Sequence, residues 1–584
     1  MKSFLKIFLA VFLALAVFCF VLFFVFAGVA GSAMSKSAAV IGEKSVLEID
    51  LSKTYAERQQ KDLQDVIQSE SLEETPSFFD VIRLIEKAKD DKNISGILLT
   101  ANGNGNGFAN SDEIRNALID FKSSKKFIMA YADVMPQRAY SVANVADKIY
   151  VSPKGFFEWV GFSVNYMFLK GTLDKLDIKP QIFYAGKFKS ATEPLRVEKM
   201  TEANRLQTTV WLEDIYNDFL LKTAAERKTD TATLHNLANT GAVQTPEDAV
   251  KYKLIDGVKY DDEIKDEIKS RLKIDKDTKI GFVSISKYAA ANSGFGGKGD
   301  KIAVIYATGD IVDGKGKEDN IGSLNYIDLL RKARLDKSIK AIVVRVNSGG
   351  GSALASENIW REMSLAKKEK PLMVSFGDVA ASGGYYISAA ADSIFASKNT
   401  ITGSIGVFGV VPDMSAFFKN KLGITFDGVQ TGPLANAGNM DHPMTEQEKQ
   451  LIQVSIEKIY TDFKQRVAEG RKKDTAYVET IAQGRVWTGL KAKEAGLIDA
   501  YGGLNAAIAA AAKKAKLSDY KIAEYPKPAS LIERILGLDK AAITHTKMQE
   551  QLGPDYYKVY RQLLKVKDMT NGAQARLPFD FIIK

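Results

Sequence analysis

The chain has 584 residues, of which 46% are apolar and 26% are charged, and its net charge is +9. This composition is typical of a globular protein with more than one domain, and it excludes a largely disordered chain. The positive charge does not indicate a nucleic-acid partner, because 80 basic residues are spread among 71 acidic ones without an arginine-rich or aromatic-interleaved block.

An unbroken run of uncharged, mostly apolar residues spans residues 7–31. As a helix this run would rise roughly 37 Å, enough to cross a bilayer with some tilt. Because Lys2 and Lys6 precede it, we predict a single-pass transmembrane anchor at 1–31 with a cytoplasmic tip and the body on the other side. The alternative is a signal peptide cleaved near residues 31–35, but the run exceeds the usual apolar region of about 7–15 residues.

Cysteine and histidine counts limit the chemistry. Cys19 is the one cysteine, so the chain forms no internal disulfide and no cysteine-based metal site. The three histidines, His235, His442 and His545, form no His-Glu-x-x-His pattern, and none has a clear acidic partner in the sequence. We therefore expect no metal and no cofactor, and a histidine base is disfavoured.

After the apolar run the sequence repeats itself at an interval of 243 to 245 residues. Asp91-Lys-Asn-Ile-Ser-Gly-Ile-Leu-Leu resembles Asp336-Lys-Ser-Ile-Lys-Ala-Ile-Val-Val, and Leu254-Ile-Asp-Gly resembles Leu497-Ile-Asp-Ala. So constant an interval predicts two tandem domains of one fold, at 32–291 and 301–525, with a glycine- and lysine-rich linker at 292–300. Residues 526–584 repeat nothing and are interpreted as a C-terminal extension of unknown role.

Strand and helix patterns alternate within each half. In the second half, the β-branched runs at 341–346 and 372–375 predict buried strands, and the stretches at 356–367 and 445–466 have helical periodicity. Alternation of this kind is typical of an α/β fold with a largely parallel sheet.

Two glycine-rich turns follow these predicted strands: Asn347-Ser-Gly-Gly-Gly-Ser352 and Ala381-Ser-Gly-Gly-Tyr385. A glycine-rich turn between a strand and a helix can expose a serine and direct backbone N–H groups at an oxyanion. Ser-Gly-Gly alone is also a common structural turn. In the first half, however, Ser382 corresponds to Gln137 and Gly383 to Arg138 at an interval of 245. Because a purely structural turn would be expected in both copies, we predict that Ser382 is a nucleophile.

A serine nucleophile needs a base, and a lysine can supply it when burial keeps the amine neutral. Composition alone does not identify which lysine. Neither glycine turn matches a phosphate-binding Gly-x4-Gly-Lys-Ser/Thr or Gly-x-Gly-x-x-Gly pattern.

These motifs resemble those of the signal peptide peptidase A (protease IV) family of Ser/Lys proteases, in its long duplicated form, over roughly residues 30–525. Thr402-Gly-Ser-Ile-Gly-Val407 and Glu494-Ala-Gly-Leu-Ile-Asp499 resemble further family motifs, the second shared with Clp-type proteases and crotonases. The resemblance implies an α/β fold of two tandem Clp/crotonase-like domains. The chain departs from the family pattern at Gly349, where proline is common, and at Phe188, where tyrosine is common.

The resemblance also implies residue roles. The family takes its base lysine from the first half, and the matching stretch is Phe188-Lys-Ser-Ala-Thr-Glu-Pro194, so Lys189 would be the base. Lys187 is the alternative, because residues two apart on a strand share a face. Gly350, Gly351 and Gly383 would form the oxyanion and substrate-binding side.

The function implied by the resemblance is a membrane-anchored serine endopeptidase that degrades remnant signal peptides and other apolar peptides. Its implied location is the bacterial inner (cytoplasmic) membrane, with the catalytic body on the periplasmic side, and its implied assembly is a homo-oligomer, a tetramer. Two alternatives stay open: an acyl-CoA enzyme of crotonase type, and a non-enzymatic membrane scaffold with an inactive protease fold. The presence of both Ser382 and Lys189 disfavours each of them.

Overall fold

A computed structural model describes residues 4, 6–18, 20–21, 41–58, 75–292, 299–317 and 319–527, with 553, 557, 560, 569–570, 572–577 and 583 near the C-terminal end. The predicted anchor at 1–31 lies partly outside the described residues, as do Cys19, His545, most of the linker at 292–300 and most of the extension at 526–584. Among the residues described, no helix combines the length and the apolar character that a membrane span needs.

The first half of the chain builds a six-stranded sheet in which all neighbouring strands run parallel. In spatial order the strands are Gly257–Val258, Lys148–Phe157, Phe127–Met135, Ile94–Thr100, Ser45–Asp50 and Phe282–Ser284. Helices cover both faces, because Leu47 packs with the helix Phe78–Asp90 whereas its neighbour Val46 packs with the helix Asp261–Leu272. Burial on both faces explains the nearly continuous apolar character of these strands.

The second half builds a sheet of the same kind. Its main order is Val486–Thr488, Ile401–Gly403, Leu372–Ala381, Ile339–Ser348, Lys301–Thr308 and Lys521–Tyr525, with Ser393–Ala396 and Ala500–Tyr501 branching from the third of these strands. All pairs are parallel except the outer pair of Val486–Thr488 with Ile401–Gly403. The predicted α/β fold with largely parallel sheets is thus confirmed in both halves.

A third, mixed sheet joins the two halves and the C-terminal extension. Its strands are, in order, Asn320–Gly322, Asp310–Val312, Gly350–Ser352, Gln574–Arg576, Val407–Asp413 and Lys179–Ala185. The predicted glycine turn at 347–352 is therefore in part a strand of this sheet. Since Lys179–Ala185 belongs to the first half and Val407–Asp413 to the second, their antiparallel pairing ties the halves together.

The helices complete both halves. Those of the first half are Phe78–Asp90, Phe108–Lys122, Gln137–Ala143, Lys170–Lys175, Glu193–Arg196, Glu202–Arg227, Thr231–Asn239, Pro246–Lys251, Asp261–Leu272 and Ile285–Ala291. Those of the second half are Ser323–Leu335, Ala353–Glu369, Gly383–Ser388, Ser415–Phe417, Glu446–Arg471, Thr475–Ile481, Gly489–Glu494 and Leu504–Lys514. The helices Glu202–Arg227 and Glu446–Arg471 both have 26 residues, a threonine N-cap and a left-handed lysine at the C-cap, as the repeat requires.

A buried ion cluster also joins the halves. Arg345 of the second half is fully buried, and its guanidinium donates to both carboxylate oxygens of Glu57 at 3.0 Å. A second first-half carboxylate, that of Glu113, lies 2.7 Å from the same guanidinium. Because an unpaired buried charge is costly, this cluster holds the halves in one relative position.

Candidate active site

Ser382 lies in a sharp turn between a strand and a helix. The strand Leu372–Ala381 ends immediately before it, and the helix Gly383–Ser388 begins immediately after it. The backbone of Ser382 has φ 54° and ψ −114°, a conformation that residues with side chains rarely adopt. Its N–H donates to the carbonyl of Gly403 at 2.8 Å. A strained strand-to-helix turn of this kind presents a serine hydroxyl at the end of a buried strand.

Close packing explains the two glycines that follow Ser382. A Cβ at Gly383 would lie 2.7 Å from Ser356 Oγ, and a Cβ at Gly384 would lie 2.6 Å from the carbonyl oxygen of Ser348. A larger residue at either position would displace the turn.

Lys189 of the first half reaches Ser382 of the second. The strand Lys179–Ala185, which pairs with Val407–Asp413, carries the chain across, and Lys189 follows shortly after it. Lys189 Nζ lies 2.8 Å from Ser382 Oγ, although 193 residues separate the two in sequence. Gly484 packs against the lysine backbone, since a Cβ there would lie 2.7 Å from Lys189 Cα. Contacts between the two halves thus set the position of this amine.

The environment of Lys189 favours the neutral amine. Only 1% of the residue is exposed, and burial lowers the pKa of its ammonium group well below the ordinary value of 10.5. In the part of the chain that the structure describes, no carboxylate pairs with this lysine to stabilise its charge. A lysine in such a site can accept a proton from a neighbouring hydroxyl.

Ser404 is a site residue that the sequence analysis did not single out. Its Oγ lies 3.0 Å and its carbonyl oxygen 3.2 Å from Lys189 Nζ. The backbone of Ser404 has φ 50°, and its N–H donates to Arg485 O at 2.7 Å. The motif Thr402-Gly-Ser-Ile-Gly-Val407 contains the residue, but nothing in that motif assigns it to the lysine.

Lys187 points away from this site. It is exposed, its backbone N–H donates to Gln483 Oε1 at 2.9 Å, and its Nζ lies 5.9 Å from the centroid of the Phe188 ring. The expectation that Lys187 and Lys189 share a strand face is wrong, because the strand ends at Ala185 and a turn follows.

One histidine has acidic partners, contrary to the expectation from the sequence. His442 lies 2.8 Å from Asp441 Oδ1 and 3.2 Å from Glu448 Oε1, and these carboxylates raise the pKa of its imidazole. Glu448 also caps the helix Glu446–Arg471, so the group stabilises the beginning of that helix. Within the described residues, His442 hydrogen-bonds with Asn436, Asp441 and Glu448, and not with Ser382.

Gly350, Gly351 and Gly383 come together beside Ser382. Gly350 has φ 97°, and a Cβ there would lie 2.6 Å from Gly383 N. The N–H of Gly350 donates to Ser348 Oγ at 3.1 Å, so this glycine shapes the loop rather than offering a donor. Gly351 pairs with Ala575 in the mixed sheet, and Gly383 begins the helix Gly383–Ser388 directly after Ser382.

The C-terminal extension occupies the groove beside these glycines. The strand Gln574–Arg576 pairs antiparallel with Gly350–Ser352 on one side and with Val407–Asp413 on the other. Its central residue, Ala575, is fully buried, and a Cβ at Gly350 would lie 2.1 Å from the Ala575 carbonyl oxygen. The N–H of Leu577 donates to Gly349 O at 2.8 Å, which continues the ladder. A peptide in extended conformation therefore fits this groove, next to Ser382.

Comparison with known sequences identifies the chain as a serine peptidase. Residues 120–275 and 364–518 each match the model of Peptidase family S49. The chain belongs to this family, and the double match confirms the duplication that the sequence predicts.

Relatives support the same assignment over most of the chain. "Protease 4" from Salmonella typhi is 36% identical over 80% of this chain and 76% of that protein. "Serine protease SPPA, chloroplastic" from Arabidopsis thaliana is 33% identical over 84% of this chain and 72% of that protein. "Protease 4" from Haemophilus influenzae is 35% identical over 84% and 82%, respectively. Assignment to a peptidase family removes the support for an acyl-CoA enzyme of crotonase type.

Proposed function

We propose that Ser382 and Lys189 are the catalytic dyad of this peptidase. The observation that carries the proposal is the 2.8 Å distance between Lys189 Nζ and Ser382 Oγ, with the amine buried and its pKa lowered. A nucleophile and a base within hydrogen-bond reach of each other are the minimum requirement for acyl transfer by a serine.

The dyad would act in two steps, acylation and deacylation. Neutral Lys189 accepts the Ser382 proton while Oγ attacks the peptide carbonyl carbon. The C–N bond then breaks, and the protonated amine of Lys189 returns its proton to the leaving nitrogen. In the second step a water molecule attacks the acyl ester while neutral Lys189 takes a proton from that water. The bond between the acyl carbon and Ser382 Oγ then breaks, and protonated Lys189 returns the proton to Oγ. Ser404 would hold Lys189 Nζ in line through its two oxygens.

The glycine side would stabilise the negative charge that develops on the carbonyl oxygen. The N–H groups of Gly383 and of the Gly350–Gly351 loop are the donors that we assign; in this structure the N–H of Gly350 donates to Ser348 Oγ, and Gly351 pairs with Ala575 of the C-terminal strand. One such donor contributes roughly 3 kcal/mol to transition-state stabilisation. The C-terminal strand supports this assignment, because its Ala575 carbonyl oxygen lies against the same glycines.

We further propose that the substrates are apolar peptides such as remnant signal peptides, reached from a membrane anchor formed by residues 1–31. The body would lie on the periplasmic side of a bacterial inner membrane, and the protein would be a homo-oligomer, a tetramer. The long apolar run supports the anchor, and the names of the relatives support the peptide substrates. A relative from Enterococcus faecium carries the name "Putative signal peptide peptidase SppA".

The test is cleavage of an apolar, signal-peptide-like substrate by the full chain in detergent. We expect Ser382→Ala and Lys189→Ala each to abolish cleavage, and the matched variant Lys187→Ala to cleave as the wild type does. A polar peptide of the same length should be a poorer substrate. Residual cleavage by Lys189→Ala at neutral pH would place the base elsewhere, and equal cleavage of both peptides would refute the apolar preference.

A further inference from the structure

Gln207, on the 26-residue helix of the first half, contacts the chain on both sides of Lys189. Only 2% of the residue is exposed. Its amide nitrogen donates to the carbonyl oxygen of Phe188 at 3.1 Å and to Ser190 Oγ at 3.0 Å, and shares its hydrogens with Asn204 Oδ1 of the same helix at 3.1 Å. Because Phe188 and Ser190 flank Lys189 directly, one buried side chain holds the backbone that carries the amine.

Lys189 is the central residue of an inverse γ-turn. Its backbone has φ −73° and ψ 79°, and the N–H of Ser190 donates to the carbonyl oxygen of Phe188 at 2.8 Å. Gln207 binds this same carbonyl and the side chain of Ser190, so it reinforces both ends of the turn. From the second half, the carbonyl of Gln483 accepts the N–H of Phe188 at 2.7 Å. The turn is therefore held from both halves of the chain.

The amide of Gln207 also reaches the second half itself. Its Oε1 accepts the N–H of Val486 at 3.1 Å, although 279 residues separate the two in sequence. Val486 begins the strand Val486–Thr488 and lies opposite Gly403 of the neighbouring strand. The carbonyl of that same Gly403 accepts the N–H of Ser382 at 2.8 Å. Gln207 thus links the turn that carries the amine to the strand pair that holds the serine.

The internal repeat separates this role from the packing of the helix. At the interval of 244, the helix of Gln207 corresponds to Glu446–Arg471, and both helices begin after a threonine N-cap. Gln207 itself corresponds to Leu451, which is 52% exposed. The N-cap recurs because both helices need it, whereas the buried glutamine occurs only in the half that carries Lys189.

We propose that Gln207 is a positioning residue for the peptidase reaction: it keeps the turn of Lys189 closed and in line with Ser382. The proposal rests on the dyad proposed above. Both ends of the Gln207 amide are used within the protein, so its action is through the turn and not on the substrate. Without the amide, the N–H of Val486 loses its acceptor and the turn loses two donors. A misplacement of a catalytic group by roughly 1 Å can cost about 100-fold in rate.

The test compares Gln207→Met with Gln181→Met in the full chain in detergent, using the apolar substrate described above. Methionine is unbranched, like glutamine, but its side chain forms no comparable hydrogen bonds. Gln181 is the matched control, because its Oε1 also accepts a backbone N–H of the second half, that of Met444, at 3.0 Å. It lies in the strand Lys179–Ala185, before the turn.

We expect Gln207→Met to lower kcat by about 100-fold with little change in KM. The rising limb of its pH–kcat profile should move to higher pH, because an open turn hydrates the amine and weakens the burial that lowers the pKa of Lys189. Gln181→Met should lower the unfolding midpoint by a similar amount but keep the kcat and the pH limb of the wild type.

A second variant decides the matter where Gln207→Met does not fold. Gln207→Glu keeps the shape of the side chain and an acceptor for Val486, but its ionised carboxylate has no hydrogen to donate to Phe188 and Ser190. At alkaline pH, where this carboxyl is ionised, kcat should again fall.

Three outcomes would overturn the inference. A folded Gln207→Met chain with wild-type kcat would do so, and so would an equal loss of kcat in Gln181→Met, since any loosening between the halves would then be enough. A rise in KM alone would indicate a substrate contact instead of positioning. Ser382→Ala and Lys189→Ala are measured alongside: if either cleaves as the wild type does, the dyad itself fails, whatever Gln207→Met shows.

Discussion

Replacing Lys189 by methionine should stabilise the protein at neutral pH, by an amount that shrinks as the pH rises. In the unfolded chain the pKa of a lysine is near 10.4, whereas burial lowers the pKa of Lys189 well below 10.5 in the folded protein. If folded Lys189 is neutral, folding must release its proton, at a cost of about 1.4 kcal/mol for each pH unit below 10.4. By this relation the cost is roughly 5 kcal/mol at pH 7 and roughly 2 kcal/mol at pH 9.

Hydrogen bonds of Lys189 offset part of that cost. Its Nζ lies 2.8 Å from Ser382 Oγ, 3.0 Å from Ser404 Oγ and 3.2 Å from Ser404 O, and the loss of each of these three bonds costs about 1 kcal/mol. We therefore expect Lys189→Met to be more stable than the wild type by about 2 kcal/mol at pH 7 and less stable by about 1 kcal/mol at pH 9. The sign follows from proton counting: between the folded pKa and 10.4 the unfolded state binds more protons, so wild-type stability rises with pH.

Urea unfolding followed by tryptophan fluorescence at pH 7, 8 and 9 measures this difference. Ser382→Ala is the control, because it removes a hydrogen-bond partner but leaves the lysine, so its stability relative to the wild type should not follow the same slope. If the difference between the wild type and Lys189→Met is independent of pH, Lys189 keeps its proton in the folded state and cannot be a neutral base.

Three further predictions concern the same site. Ser404→Ala should lower kcat/KM by roughly 3- to 10-fold, the value of one hydrogen bond. It should also shift the rising limb of the pH–rate profile to lower pH, because the Lys189 ammonium loses a hydrogen-bond acceptor. An unchanged profile would contradict the contact of Ser404 with Lys189. Gly350→Ala should lower kcat by about 100-fold, because φ 97° and a Cβ 2.1 Å from Ala575 O displace the oxyanion loop. Gly349→Ala is its control, since a Cβ there meets nothing closer than 3.7 Å. A chain ending at residue 527 lacks the strand Gln574–Arg576 and should cleave peptides faster than the full chain. We expect about a tenfold gain in kcat/KM for each 1.4 kcal/mol of free energy with which this strand binds in the groove. A folded, truncated chain with equal or lower kcat/KM would show that the strand does not compete with substrate.

The sequence predicts the two α/β halves of the molecule well, because the repeat allows one half to be compared with the other. The contrast between Ser382 and Gln137 identifies a candidate nucleophile without any other protein for comparison. Parallel sheets buried on both faces also leave a strong apolar signal. The β-branched run at 341–346 therefore predicts the centre of the strand Ile339–Ser348.

What escapes sequence analysis depends on contacts between distant parts of the chain. The contact of Ser404 with Lys189 joins residues that are 215 apart in sequence. It also requires a left-handed backbone at Ser404, which no local sequence pattern predicts. The strand Gln574–Arg576 has three residues and pairs with a glycine loop in the middle of the sequence. The periodicity argument about Lys187 fails because the strand ends before it, and the position of strand ends is the weakest signal in a sequence.

The location of Ser382 and Lys189 on different halves of one polypeptide has a consequence for how the site responds to dilution. If the same two half-sites resided on separate chains, the fraction of assembled sites would fall as the protein concentration fell. Here a covalent connection through the body of the protein, reinforced by the buried contacts of Arg345, keeps the Lys189 amine beside the Ser382 hydroxyl at a high effective concentration. Specific activity should consequently stay constant on dilution, even through the range in which separate copies of the chain dissociate from one another.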